Sequence, residues 1–390
     1  MSMTLTGASV FDGEALHDGA SVVVADGRIT AILPAGRGPV GQPVALSGGI
    51  LAPGLLDLQV NGGGGRQVGA STTAADLAAI CDSHARLGAT GILPTLITDT
   101  PETTARVIAA GIKCAWAGVP GFLGLHLEGP HLDPRRKGAH DPGLIRPMLE
   151  PDLQALLAAR AQLPALMVTL APAAVAPGQI RRLVAGGVTV SLGHADCTLT
   201  EARAAMAEGA RSATHLFNAM SPLGHREPGL VGAVLDGDLA AGLIADGQHV
   251  APEIVRLALR LRPRGLYLVS DCMALAGTEL PGMRLGGRLI RRSAGRLTLG
   301  DGTLAGADLT LPQALANLRK WGVDAAQALR MATSTPADLI GSPAGRLRVG
   351  ATADLVHLGD DLHLRQVWRG GQPLLRQIHA DQPRQNRRMP

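Results

Sequence analysis

Eight short apolar runs recur along the middle of this chain, most of them followed by an Ala- and Leu-rich stretch of helical period, and this alternation constrains the fold more than any other feature. The runs occupy 55–60, 91–96, 122–127, 166–170, 188–192, 212–215, 240–245 and 266–270; helical period is clearest in 72–87 and 101–115. Short, largely apolar runs of this kind are expected to be strands, and consecutive parallel strands need long, usually helical, crossovers. Eight such units over roughly 280 residues match the size of a (β/α)8 TIM barrel. An open doubly wound sheet is the alternative.

Both flanks read differently. The first fifty residues carry β-type runs at 21–25 and 29–33, split by the turn pair Asp26-Gly27. After helical stretches at 309–320 and 324–332, β character returns at 355–358 and 366–368. The expected organisation is therefore a barrel over 53–342 and a small discontinuous β-sandwich domain formed by 1–52 plus 343–390. No repeat of fixed period is present, and the only low-complexity segment is 62–65.

Aromatic residues make up 2% of the chain, so the core must be aliphatic and a base-stacking surface for nucleic acid is not expected. The 36 basic and 32 acidic residues leave a net charge of +4, spread along the chain apart from Arg384, Arg387 and Arg388 near the end. That balance suits an anionic small substrate without selecting one. Four cysteines without a CxxC pair fit a reducing compartment, and the first ten residues show no basic region followed by an apolar run. The most apolar window, 161–178, is broken by Pro164, Pro172 and Pro177. A cytoplasmic protein without a membrane segment is expected.

Polar residues sit where those runs end. Glu128 follows the third in HLEGP, His194 the fifth in SLGH, His215 closes the sixth in SATH, and Asp271 follows the eighth in LVSD. In a barrel these ends meet in one mouth. A lone histidine there is commonly a hydrogen-bonded rim residue, and a lone glutamate caps a turn. Gathered together, several ionisable groups are costly to bury unless a cation offsets them. Carboxylate and imidazole suit Zn2+, with Fe2+, Co2+ or Mn2+ also accepted by such donors. A hydrolytic metal site also needs a proton carrier, a role that suits Asp271; a helix cap or turn is its structural alternative, and its neighbour Cys272 could add a ligand. Further polar groups lie in loops after the same strands: His140, Asn218, Arg226 and the segment Asp246, Gly247, Gln248, His249. Arg226 and His249 suit an anionic group, with ordinary surface charge as the alternative.

The segments LEGPHLDPRRKGAH, SLGHADCT, THLFNAMSPLGHREPG, ADGQHV, VSDCM and GTLAGADLT occur in the order found in the N-acetylglucosamine-6-phosphate deacetylase family of the amidohydrolase superfamily, and the chain resembles that family over nearly its whole length. ADGRITAILP, LAPGLLDLQVNG, ATSTPADLIG and GRLRVGATADLVHL agree in the flanks. The resemblance implies hydrolysis of N-acetyl-D-glucosamine 6-phosphate to glucosamine 6-phosphate and acetate. It implies one divalent metal ion, Zn2+ first, on Glu128, His194 and His215, with Asp271 as acid and base and His140 polarising the acetyl carbonyl. Sugar and phosphate contacts would fall on Ala139, Asn218, Ala219, Arg226, Asp246, Gly247, Gln248, His249, Leu304, Ala305 and Gly306. A homodimer is implied, because phosphate contacts in the family come partly from a neighbouring subunit.

Two departures stand out. Many amidohydrolases carry His-x-His at the end of the first barrel strand, where this chain has Gln59-Val60-Asn61; neutral amides are poor zinc ligands, so a second metal is not expected. Cys272 and Ala307 replace the residues usual beside the acidic residue and in the LAGS-type loop. The rival substrates are the N-acetylgalactosamine epimer, another N-acyl compound, and a cyclic amide. Against a cyclic amide, none of Lys113, Lys137 and Lys320 lies at a strand end. A non-catalytic sugar-phosphate-binding protein is the rival of a different class.

Overall fold

In the computed structural model, which describes residues 2–374, eight parallel strands lie side by side in chain order. They are β1 (Leu55–Val60), β2 (Ala89–Ile97), β3 (Leu125–Glu128), β4 (Leu166–Leu170), β5 (Thr189–Leu192), β6 (Ser212–Ala213), β7 (Ala240–Leu243) and β8 (Leu266–Leu268). The segment after β8 returns to β1. The Asp271 N–H donates to the Gln59 carbonyl at 3.0 Å and the Asn61 N–H to the Cys272 carbonyl at 2.9 Å. Both oxygens of the buried Asp57 accept the Ser270 N–H at 3.2 Å, so a side chain in the barrel interior completes the seam.

The sixth, seventh and eighth strands are shorter than their apolar runs. The backbone of His215 turns into the left-handed region (φ 33°), which ends extended pairing whatever the hydropathy. The third begins at Leu125, and Phe122 touches the sheet only through a single bridge to Ile92.

Crossover helices start where polar caps place them. Thr73 caps Ala74–Arg86 in a reciprocal pair with Asp76, Thr198 caps Leu199–Ala207 with Glu201, and Thr310 caps Leu311–Lys320 with Gln313. Pro101 opens Pro101–Trp116 behind Thr100, where its missing N–H costs nothing.

An unanticipated element interrupts the barrel between β8 and Leu311–Lys320. Four antiparallel strands, Gly282–Leu285, Arg288–Ser293, Arg296–Thr298 and Leu304–Ala307, form their own sheet. Its turns fall at Gly286-Gly287, Ala294-Gly295 and near Asp301-Gly302, a hairpin signal legible in the sequence. Its small core of Ile290, Leu297 and Ala305 packs on Met273 and Leu275.

The two flanks meet in a β-sandwich. One sheet holds Ser2–Thr6, Ser21–Ala25, Arg28–Leu33 and Gln42–Ala45; the other interleaves Ser9–Phe11, Leu16–His17 and Ile50–Pro53 with Leu355–Leu358, Leu364–Arg369 and Gln372–Leu374. Alternation along the second sheet divides its residues between two cores. Leu51, Leu355 and Trp368 join Leu5, Val22 and Ile29 inside the sandwich, whereas Ile50, Ala52, Val356 and Val367 pack on the barrel. The basic group Arg384, Arg387 and Arg388 lies outside the described residues.

Candidate active site

Glu128 is the last residue of β3, His194 and His215 lie two residues beyond β5 and β6, and Asp271 lies three beyond β8. Strand ends of a barrel share one mouth, so these four converge although their separations in the chain are large. His194, His215 and Asp271 all have positive φ (47°, 33° and 48°), uncommon for residues with a Cβ and costly unless the surroundings enforce it. Such strained residues cluster at functional sites.

Three atoms define the centre. Nε2 of His194 lies 3.2 Å and Nε2 of His215 3.1 Å from Oε1 of Glu128, and the two nitrogens are 3.1 Å apart. The opposite ring nitrogens fix the tautomers. Nδ1 of His194 is 2.7 Å from the Arg136 carbonyl, and Nδ1 of His215 is 3.1 Å from the Asn218 carbonyl. A carbonyl oxygen only accepts, so each Nδ1 carries a proton, and each ring, when neutral, turns the lone pair of Nε2 towards the other and towards the carboxylate. Three lone-pair donors facing one another in a buried place are the donor set of a cation such as Zn2+. Burial raises the Glu128 pKa, but the two imidazoles against it, which donate to it when protonated, outweigh that and hold the carboxyl well below its usual range. Burial lowers that of His215, yet Glu128 beside it leaves a net rise.

A polar layer supports this centre from inside the barrel. His126 bridges the Leu58 carbonyl (3.0 Å) and the Thr169 hydroxyl (2.7 Å), and Thr169 and Ser191 both bond the Thr214 hydroxyl, at 2.6 and 2.7 Å.

His140 packs edge-on against His194, with ring centroids 4.3 Å apart. Burial, with His194 beside it, pushes its pKa down to about 3, so the ring is neutral. The Thr98 N–H donates to its Nδ1 at 3.3 Å and the Thr98 hydroxyl lies 2.7 Å away, which leaves Nε2 as the nitrogen bearing hydrogen. Asp271 is pushed up to about 6 by burial and by the charge of Glu128. Its Oδ1 accepts from Asn61 Nδ2 at 2.7 Å and from Gln59 Nε2 at 3.3 Å.

One cavity is walled by Asn61, Glu128, His140, His194, His215 and Asp271 together with Ala139, Asn218, Ala219, His249, Leu304, Ala305 and Gly306. Four expected contacts lie outside its wall. Asp246 stands behind His249, its Oδ2 2.6 Å from Nδ1, with Gly247 in the same turn. The exposed Gln248 instead accepts from Arg296 of the inserted sheet at 2.6 Å. Arg226 is exposed, in the loop between β6 and the helix Gly229–Asp236. Cys272 is not a ligand candidate. Its Sγ faces the Gly62 carbonyl (3.5 Å) and Nε2 of His84 (3.6 Å), and burial keeps the thiol protonated.

A sequence model of the amidohydrolase family matches residues 50–377. The chain belongs to the amidohydrolase family. Amidohydrolases are metal-dependent hydrolases, and the trio of Glu128, His194 and His215 fits a metal site. Among its relatives, the N-acetylgalactosamine-6-phosphate deacetylase of Shewanella sp. (strain ANA-3) is 38% identical over 339 residues, covering 84% of each chain. The human N-acetylglucosamine-6-phosphate deacetylase is 37% identical over 344 residues, covering 83% of each. In solved structures, a mutant N-acetyl-D-glucosamine-6-phosphate deacetylase from Mycobacterium smegmatis in complex with N-acetyl-D-glucosamine-6-phosphate superposes with a TM-score of 0.88 at 33% identity, covering 95% of this chain and 99% of that one.

Within this amidohydrolase, sequence reasoning missed Thr98 and the apolar cavity wall of Ile97, Ile244, Met273 and Leu285. Thr98 follows β2, so the strand-end rule that found the histidines would have found it had hydroxyl residues been included. Leu285 comes from the inserted sheet, whose presence was not anticipated.

Proposed function

We propose that this amidohydrolase removes the acetyl group of N-acetyl-D-glucosamine 6-phosphate, giving glucosamine 6-phosphate and acetate. The observation that carries the reading is the convergence of three cation-binding lone pairs beside a carboxyl group, Asp271, held at the same strand-end mouth. Glu128, His194 and His215 would hold one divalent ion, Zn2+ before Fe2+, Co2+ or Mn2+. Such an ion, when bound, supplies Lewis acidity to a carbonyl and acidity to water. Asp271 takes the proton of the attacking water, and His140 donates its Nε2–H to the oxyanion that develops on the acetyl oxygen. As the C–N bond breaks, Asp271 returns the proton to the leaving nitrogen, so amine and acetate depart and the carboxylate is restored.

Asn218, Ala219, His249 and the loop Leu304, Ala305, Gly306 are the proposed sugar and phosphate contacts, with Ala139 beside His140. Asp246 orients the His249 ring, its carboxyl held low by that imidazole despite burial. Arg226, exposed and outside the cavity wall of its own chain, would serve the phosphate of a neighbouring subunit in a homodimer. We further assign 1–52 plus 343–390 to the sandwich unit, residue 1 and residues 375–390 lying outside the described residues, and 53–342 to the barrel unit, and place the protein in the cytoplasm. Among the described residues no helix is long and apolar enough to cross a membrane.

The galactosamine epimer is the second reading, because the relatives at 38% and 37% identity carry different epimer names. Acetate release from the two 6-phosphates in parallel tests the assignment. Higher kcat/KM on the glucosamine compound supports it, a reversed ratio supports the epimer, and no release from either rejects both.

A further inference from the structure

Asp57, Gln59 and Asn61 alternate along the end of the first barrel strand, so all three side chains point into the barrel at successive levels. Asp57 closes the seam. Gln59 and Asn61, both 2% exposed, stand where many amidohydrolases carry ligating histidines, and amides there need another account.

Their hydrogen bonds supply one. Gln59 Nε2 donates to Oε1 of Glu128 at 3.1 Å and to Oδ1 of Asp271 at 3.3 Å, so one amide group ties the two carboxylates together. Asn61 Nδ2 donates to the same Oδ1 at 2.7 Å. Carboxylate oxygens only accept, which fixes the orientation of both amides. Every side-chain hydrogen bond that Asp271 makes among the described residues falls on Oδ1, and none falls on Oδ2. The backbone is pinned as well: the Asp271 N–H donates to Gln59, and its carbonyl accepts the Ala307 N–H at 2.9 Å.

We infer that Gln59 and Asn61 are positioning residues that anchor Oδ1 of Asp271 and so present Oδ2 alone to the cavity as the atom that takes and returns the proton. The inference rests on the role given to Asp271 above. Two donors on Oδ1 lower its basicity and remove the rotation by which the two oxygens would exchange. Neutral amides achieve this without another cation, where two histidines would recruit one. The Oδ1 atom of Asn61, buried and without a partner among the described residues, leaves the Asp271 contact as the bond that holds its amide.

The test uses Asn61→Ala and Gln59→Met in the metal-loaded full-length protein, each removing its donors independently, so that poor folding of one leaves the other informative. Crystal structures of wild type and variants report the orientation of Asp271 without reference to any substrate. The inference expects a single carboxylate orientation in wild type and two or more in the variants. For Asn61→Ala, which touches no proposed ligand, it also expects metal content unchanged, and for both variants, kept saturated with metal, KM within about twofold and kcat lower by about 10- to 100-fold, the usual cost of removing an outer-shell partner. An unmoved Asp271 with unchanged kcat, a loss of metal in proportion to activity in Asn61→Ala, or a raised KM at constant kcat would each overturn it. Should wild type hydrolyse neither epimer, the reading of function fails, while the orientation of Asp271 still decides this inference.

Discussion

Replacing Asp57 by Asn should make stability less dependent on pH, by an amount the barrel seam allows one to work out. Asp57 is 1% exposed, and burial, reinforced by the charge of Asp271, pushes its pKa up to about 7 from an ordinary 3.8 despite hydrogen bonds from Ser270 and Gln59. Between those values the unfolded chain gives up the proton while the folded chain keeps it. The folded state then binds more protons, so the contribution is fully present below pH 3.8, is lost as pH rises to about 7, and is level above that. A gap of about 3 units at about 1.4 kcal/mol each makes the loss about 4 kcal/mol. Asn resembles the protonated acid in shape and keeps one oxygen to accept the Ser270 N–H, but it does not titrate. The difference in unfolding midpoint, variant minus wild type, should therefore grow from pH 4 to pH 7 and then flatten, while titrations common to both proteins cancel. Thermal scans at fixed rate across that range, with the metal kept saturating, measure it. A flat difference would refute the claim that burial keeps this carboxyl protonated.

Other outcomes follow from the cavity. Asp271→Asn should lower turnover by about a thousandfold, within the range for losing a proton carrier, while metal analysis finds the ion retained. In Gly138→Ala the new Cβ would sit 3.2 Å from Cε1 of His194, on a backbone of φ +54°, so the ring must shift; metal affinity measured by competition with a chelator should fall about tenfold. Arg226→Ala should raise KM for the 6-phosphate substrate by about tenfold or more, the worth of a charge-assisted hydrogen bond, and leave unphosphorylated N-acetylglucosamine unaffected in a KM comparison.

The barrel was legible because short, mostly aliphatic runs such as LLDLQV in β1 and LMVTL in β4 recur between helical stretches, the pattern of covered parallel strands with helical crossovers. Glu128, His194, His215 and Asp271 were legible for a related reason: a polar residue ending an apolar run has nowhere to go but the mouth. Strand length was less readable at β6, where backbone strain at His215 rather than hydropathy ends the pairing. The inserted sheet escaped because Arg288, Arg291 and Arg296 interrupt its short apolar stretches, leaving few residues to bury. Arg226 could not be placed from sequence, since its loop carries the same charges whether it faces its own cavity or solvent. The roles of Gln59 and Asn61 depend on which oxygen of Asp271 they meet, and spacing along the chain carries no such information.

Acetate release from N-acetyl-D-glucosamine 6-phosphate, followed before chelation, after it and after return of one equivalent of Zn2+, addresses metal-dependent deacetylation most directly. The account predicts release that stops when the ion is removed and resumes at about one ion per chain. Release that persists in protein shown to be free of metal would contradict the role given to Glu128, His194 and His215.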